Sequence, residues 1–418
     1  MSIKAKRSHR IKSDVLVVGI DVAKRRHVAV IRLPDGIFGK PFAFSNDRKG
    51  FEHLLARVTS ARCEGGASST LYALEATGHY GHALQYYLVS RSADVVGINP
   101  AHTKRVKEIL DGSPEKSDRK DAILIADLAA QGRGRPLAVP VGVYAELRRL
   151  GKLREQLAGE RTRHLNRYIG LVDLVFPELA ALVPDVTCHT VRCLMSEFPS
   201  AEDIGRRQWR RIRRLLWKWS IGHFSEDRCR QIYLAAKQSV GIREGLEAVR
   251  LQMRLVLTSL RRVESQIAEV ERAQVEALRQ VPYAELLLTI PEVAPTTVAT
   301  ILGETGDLRD YRSAAAVIKL SGLNLYTLSS GRFCGRTRIT KRGRPLLRRI
   351  VYMAALRMCR EGRPLRAFRD RLVDRIAKPQ ITVACCRKLL RLMYAMVRDG
   401  VAYQPGRLAV ADPDQAAA

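Results

Sequence analysis

The sequence predicts an N-terminal α/β domain with a mixed sheet, then a helical coiled-coil region, then a mainly α-helical C-terminal domain. Three observations carry this. Before residue 132, a meander of short β-branched runs gives way to alternating helix and strand. Two long stretches of helical periodicity follow. From residue 282 the helical segments become short and are broken by a loop rich in glycine and arginine. The expected borders are a basic arm at 1–13, the α/β domain at 14–132, the helical region at 133–281 with an insertion at 177–242, the C-terminal domain at 282–404 and a polar tail at 405–418.

Residues 14 to 20 form an apolar run that ends at Asp21 and reads as a buried strand. His27 to Leu33 continues as a second strand, and Pro34-Asp35-Gly36 is a turn. Ile37 to Phe44 supplies the third strand. Ser45 or Asn46 can cap a helix with Phe51, Leu54, Leu55 and Val58 on one face. Thr70 to Leu74 is a strand ending at Glu75. A helix around 82–90, a strand at 95–98, a loop at 111–117 and a helix from Asp118 to Ala130 complete the domain. Gly132 to Pro140 is the connector.

Residues 143–176 read as one long helix through Leu147, Leu150, Leu157, Leu165, Ile169 and Val172. In a second, Leu246, Val249, Met253, Val256, Leu260, Val263, Ile267 and Val270 alternate spacings of three and four, which is a heptad seam. Such a seam serves equally a coiled coil between subunits and a hairpin of the two long helices within one chain. The insertion holds all three tryptophans. Ile290 to Ile301 resembles a helix-hairpin-helix, with Glu292-Val293-Ala294 in place of the usual glycine turn. A loop at 327–343 precedes helices at 345–359 and 380–398.

The 418 residues carry 72 Lys plus Arg against 42 Asp plus Glu, a formal charge of +30. Such an excess calls for a polyanionic partner. No apolar run of about 18 residues predicts a membrane span, and no basic amphipathic anchor is evident, so nucleic acid is the expected partner. The basic N-terminus lacks an apolar signal core, and the eight cysteines show no zinc-ligand spacing. A cytoplasmic, nucleoid-associated setting is the expectation.

Four carboxylates stand out by position. Asp21 and Glu75 end strands, while Asp118 and Asp121 lie three apart at a helix start and share a face. Each alone also suits a turn, a cap or a surface pair. Together they would repel severely unless cations were bound. Two Mg²⁺ ions about 4 Å apart would neutralise them and clamp both oxygens of a phosphodiester displacement.

These residues resemble a family. Gly19-Ile20-Asp21-Val22-Ala23-Lys24, Leu74-Glu75-Ala76-Thr77-Gly78, Ile98-Asn99-Pro100 and Lys116-Ser117-Asp118-Arg119-Lys120-Asp121-Ala122 are similar to the RuvC-like (RNase H-like) domain of the DEDD transposases. These are the RNA-guided recombinases of insertion-sequence family one-ten. The resemblance runs on through Leu165-Asn166-Arg167, Leu320-Ser321-Gly322-Leu323, Ser330-Gly331, Thr340-Lys341-Arg342-Gly343, Leu347-Arg348-Arg349 and Arg387-Lys388-Leu389-Leu390. The insertion at 177–242 is longer than the family pattern. The resemblance implies that Asp21, Glu75, Asp118 and Asp121 are the metal set, with two Mg²⁺ per site, and that Ser330 is the nucleophilic serine. It further implies site-specific recombination of an element. A structured non-coding bridge RNA would pair with donor and target double-stranded DNA. A homo-oligomer, dimer or dimer of dimers, is expected.

A serine hydroxyl is a weak nucleophile without a base or metal, and no histidine lies near Ser330 in sequence. Ser329 and Ser321 are rival hydroxyls on residue type alone; the resemblance, through Gly331, selects Ser330. Basic residues cluster in three places. Arg332, Arg336, Arg338, Lys341, Arg342, Arg344, Arg348 and Arg349 follow Ser330 and suit DNA phosphates. Arg210, Arg213 and Arg214 lie with Trp209, Trp217 and Trp219, a mixture that suits RNA stacking or, equally, a helix with a buried tryptophan face. Lys104, Arg105 and Lys120, with Lys107 among them, flank the acids. Two further readings stand: a RuvC-like structure-specific nuclease using water, and a non-catalytic nucleic-acid-binding repressor.

Overall fold

The computed structural model describes residues 14–75, 78–110, 118–137, 139–327, 329–330, 333–335 and 337–405. The basic arm at 1–13, the loop at 111–117, Gly331, Arg332, Arg336 and residues 406–418 of the expected tail lie outside the described residues. The chain divides into two compact units, 1–142 and 143–418.

The first unit is built on β1 (Val15–Asp21), β2 (Arg26–Arg32), β3 (Phe42–Ser45), α1 (Arg48–Glu64), β4 (Ser69–Glu75), α2 (His82–Val89), β5 (Asp94–Ile98), α3 (Pro100–Leu110), α4 (Asp118–Ala130) and β6 (Arg135–Pro136). The sheet order is β3-β2-β1-β4-β5-β6. The first three strands form an antiparallel meander, while β4 and β5 run parallel to β1, so the sheet is mixed as expected. Period-two alternation explains the layers. Leu16, Val18 and Ile20 face one core with Phe51, Leu54, Leu84 and Leu88, whereas Val17 and Ala73 face a second with Ala122, Ile125 and Ala126. The third strand starts later than the sequence suggests, at Phe42, and Phe38 makes only an isolated bridge to Arg32. The cap of α1 is Asp47 rather than Ser45 or Asn46. Its carboxylate accepts from Gly50 N at 2.8 Å and from the Ser45 hydroxyl, so Ser45 supports the cap instead of forming it.

The second unit opens with α5 (Gly142–Val175), followed by α6 (Leu179–Leu182), α7 (His189–Glu197), α8 (Ala201–Gly205), α9 (Trp209–Trp219), α10 (Glu226–Gln238) and α11 (Leu246–Arg279). Next come α12 (Ala284–Leu288), α13 (Pro295–Thr305), α14 (Ala314–Ser321), β7 (Leu325–Tyr326), β8 (Ser329–Ser330), β9 (Phe333–Cys334), β10 (Arg338–Ile339), α15 (Pro345–Met358), α16 (Arg366–Asp370) and α17 (Lys378–Asp399). No helix among the described residues is long and apolar enough to cross a membrane.

The heptad seam of α11 is spent inside the chain. Its C-terminal half runs antiparallel to α5, with Arg154–Glu271 at 2.7 Å and Arg161–Glu264 at 3.0 Å. Those pairs are seven residues apart on each helix and flank an apolar contact of Leu157 with Val263, Ile267 and Val270. The N-terminal half, through Leu246, Val249, Met253 and Leu257, enters a separate core with Tyr168, Phe176, Leu194, Ile212 and Ile232. The insertion is therefore a helical cluster with its own centre. A third core joins α12 to α17 with Leu147, Ala277 and Leu278.

The loop expected at 327–343 holds β8, β9 and β10. β8 pairs with β9, and β10 pairs with β7 just before the loop. Two residues are too few to show alternation, so the sequence carried no strand signal there.

Candidate active site

Asp21 and Glu75 close adjacent parallel strands. The ladder registers Ile20 with Leu74, which sets the two acids side by side at the middle of the edge formed by the strands' C-terminal ends. Helix α4 brings the other pair. Gly19 lets it lie directly on β1, because a Cβ there would stand 2.5 Å from Ala126 N and 2.7 Å from Ala126 Cβ. With that helix seated on β1, its first turn delivers Asp118, exposed, and Asp121, buried.

The electrostatics register this gathering. Burial first, then the charges of Asp121 and Asp118, push the Asp21 carboxyl above its ordinary value, while Val22 N–H and Lys107 oppose the rise. The Lys107 ammonium forms an ion pair with Asp121 Oδ1. Lys107 is thus a stand-in cation within the acid cluster. The sequence reading placed it only among basic residues flanking the acids, because residue spacing does not show that α3 turns this side chain inward.

Hard carboxylate oxygens with a local shortage of positive charge suit a divalent cation such as Mg²⁺. Among the described residues no three acid, histidine or cysteine side chains converge at ligating spacing. An ion held by these carboxylates would need them to draw closer together than they stand, and Lys107 competes with it for Asp121 Oδ1.

Ser330 lies in β8, its backbone opposite Phe333. The arm that carries it is closed at its base by a knot of the matched motifs. Gly322 adopts φ +71°, a left-handed conformation natural to glycine. A Cβ on Gly343 would stand 2.8 Å from the Ser321 carbonyl carbon. Lys341 N donates to Gly322 O at 3.0 Å, and Arg344 N to Leu320 O at 2.8 Å. Arg348 Nη1 donates to Ser321 O at 3.0 Å.

Two of the expected phosphate contacts also have partners within the chain. Arg348 spends donors on the knot, and Arg349 is paired with Glu155. Arg338, Lys341 and Arg342 are exposed, whereas Arg344 is half-buried. On the insertion, Arg213 pairs with Glu226 at 3.1 Å, while Arg210 and Arg214 are exposed. Ile212 and Leu216 are fully buried, Trp209 packs on Tyr233 at 5.5 Å, and Trp217 stays 63% exposed, so the tryptophans divide between core and surface. Lys104 and Arg105 on α3 and Lys120 on α4 are exposed. The hairpin turn at 291–295 holds Glu292 at φ +67°, where the absent glycine would be relaxed, with Arg363 paired to it at 3.0 Å.

Two family profiles match the chain. One, described as "Transposase" and labelled DEDD_Tnp_IS110, covers residues 18–177. The other, "Transposase IS116/IS110/IS902 family", covers residues 284–369. Among curated relatives, the "Insertion element IS110 uncharacterized 43.6 kDa protein" of Streptomyces coelicolor is 26% identical over 72% of this chain and 75% of its own length. The "Insertion element IS900 uncharacterized 42 kDa protein" of Mycobacterium paratuberculosis is 23% identical over 93% of this chain and 96% of its own. Of solved structures, Thermus thermophilus RuvC in complex with a Holliday junction substrate aligns at TM-score 0.22 and 16% identity, over 29% of this chain and 99% of that one. The chain thus matches models of IS110-type transposases in two separate stretches, residues 18–177 and 284–369.

Proposed function

We propose that this transposase cuts and rejoins DNA with Asp21, Glu75, Asp118 and Asp121 as Mg²⁺ ligands and Ser330 as nucleophile, guided by a structured non-coding RNA. The observation that carries the reading is the Gly19 contact, which seats α4 at Ala122 and Ala126, just past its acidic first turn, against the strand that ends in Asp21. Bound there, Mg²⁺ supplies neutralisation of phosphate charge and eases ionisation of an attacking hydroxyl.

The chain's own residues then do the following. The acids present hard oxygen donors from fixed strand and helix ends. Ser330 Oγ forms a bond to phosphorus as the bond to a deoxyribose oxygen breaks. The serine proton passes, net, to the departing oxygen, which leaves as a free hydroxyl. The phosphoserine link retains the bond's energy, so the reverse attack by a DNA hydroxyl rejoins a strand without ATP. Exposed Lys104, Arg105, Arg338, Lys341 and Arg342 supply phosphate contacts. RNA guidance rests on the sequence resemblance and on the +30 charge.

The decisive experiment traps the covalent intermediate. Wild-type protein incubated with element-end DNA and Mg²⁺ is expected to yield a protein–DNA adduct that Ser330→Ala lacks. An adduct retained in Ser330→Ala sinks the serine assignment, and hydrolysed products without any adduct favour the water-using nuclease. Sequencing RNA that co-purifies with the protein tests guidance: one structured species encoded beside the gene is expected.

A further inference from the structure

Within the second unit, α5 and α13 approach unusually closely. A Cβ on Gly303 would stand 2.6 Å from Leu147 C and 2.7 Å from Arg148 N. This contact places the buried carboxylate of Glu304, with 5% side-chain exposure, beside basic residues from two segments. Arg148 reaches it from α5 and Arg344 from the residue before α15, each at 4.0 Å. That is the outer limit of an ion pair and too long for a hydrogen bond. Glu304 Oε1 accordingly has no hydrogen-bond partner. Lys152, one turn along α5 from Arg148, adds a third cation.

Three cations thus face one carboxylate, and their donors are unspent. Among the described residues neither guanidinium nor the Lys152 ammonium makes a side-chain hydrogen bond. Burial, then the charge of Arg148, holds Arg344 below the usual arginine range; burial, then Arg148, does the same to Lys152, with Glu304 opposing. Half-buried cations that repel one another and leave their donors unpaired are costly unless an anion completes them. Exposure is graded from the Glu304 floor, through Arg148 and Arg344 at 24% each, to exposed Lys152. The group is therefore open on one side. Planar guanidinium forks match phosphate oxygens in geometry and charge.

We propose that Arg148, Lys152 and Arg344, arranged around Glu304, form a seat for one backbone phosphate of a bound nucleic acid. The nucleic-acid identity of the ligand rests on the transposase reading; the phosphate chemistry does not. Glu304 holds the two guanidiniums apart at the seat's floor, and Lys152 closes its mouth.

Inorganic phosphate is the first probe, titrated into the full-length chain at constant ionic strength while melting is followed. Wild-type protein is expected to melt a few degrees higher with phosphate, and the double variant Lys152→Gln/Arg344→Gln to lose that response. Arg375→Gln, an exposed arginine elsewhere, controls for net charge and is expected to respond like wild type. No response in wild type, or an equal response in the double variant, overturns the seat. The second probe is a random-sequence DNA duplex and, separately, an RNA hairpin, with affinity measured against salt. Lys152→Gln is expected to keep wild-type melting and to lower the salt slope by about 0.9 on the duplex arm, or about 0.7 if a single strand sits there. Unchanged slopes on both arms overturn the nucleic-acid ligand. Should the wild-type protein bind neither probe, the transposase reading fails while the phosphate melt still decides the seat.

Discussion

The acid edge and the serine arm carry complementary parts of the proposed chemistry on very different supports. Asp21 and Glu75 end strands of seven residues each, paired across a sheet with cores on both faces. Ser330 lies in a strand of two residues, and its arm is secured at the base by the Gly322–Gly343–Arg348 knot. Carboxylates that must share a cation need fixed spacing, which regular elements provide. A nucleophile that must meet a strand and later release it is better served by a short arm held at its root. The contrast predicts that the acid edge fails through packing and the serine arm through loss of local order.

The largest effect is expected at Gly19. Gly19→Val drives a branched side chain into Ala122 and Ala126, and overpacking of this kind costs about 3 kcal/mol. Urea melts should show that loss together with undetectable strand cleavage; normal cleavage would mean that α4 need not sit on β1.

Asp21→Asn separates stability from activity. Because folding raises the Asp21 pKa, the folded chain binds that proton more tightly than the unfolded chain. Its contribution to stability therefore falls as pH climbs from 3.8 through the raised folded value, and stays low above it. The variant is expected to lose at least about 100-fold in cleavage, in line with disrupted metal ligation. It should melt higher than wild type at neutral pH, by roughly 2–4 °C for each kcal/mol of repulsion removed. A lower melting temperature would contradict the like-charge account.

Lys107→Met tests the stand-in cation. Without metal, Asp121 loses its partner and the protein should weaken by about 1–2 kcal/mol, less than for a fully buried pair because Lys107 is 38% exposed. Added Mg²⁺ should then raise the melting temperature more than it does in wild type. Equal metal responses would remove Lys107 from the site.

The smallest effect is expected at Arg348→Gln. Losing the bond to Ser321 O should cost about 1.5 kcal/mol locally. Faster amide exchange across 320–343 would register it, with the DNA salt slope unchanged; a slope reduced by about 0.9 would return Arg348 to the phosphate contacts.

Much of the first unit was legible because its elements are long enough to show a period. The run through Ile20 and the helix from Asp118 each announce their type, and the four acids stand at element ends where a sequence reader looks. The cap at Asp47 was missed because three adjacent residues could each cap, and only the backbone decides which hydroxyl or carboxylate meets Gly50 N. The β7–β10 closure was invisible because two residues have no period. The surroundings of Glu304 were hidden for another reason: Arg148 and Glu304 are far apart in sequence, and nothing in either segment announces the Gly303 contact.

By itself the sequence determined the mixed α/β unit, the long helices, the excess of positive charge and the acids at element ends, because local periodicity and composition encode these. Tertiary structure decided what each pattern meets. The heptad seam of α11 could have joined a second subunit; packing gave its halves to α5 and to the insertion's core. Lys107 could have faced solvent; α3 turned it to Asp121. Arg348 reads in sequence only as a cation; Gly322 and Gly343 brought the Ser321 carbonyl to it. A sequence specifies which side chains want partners, and only the close approach of distant segments settles which partner each receives.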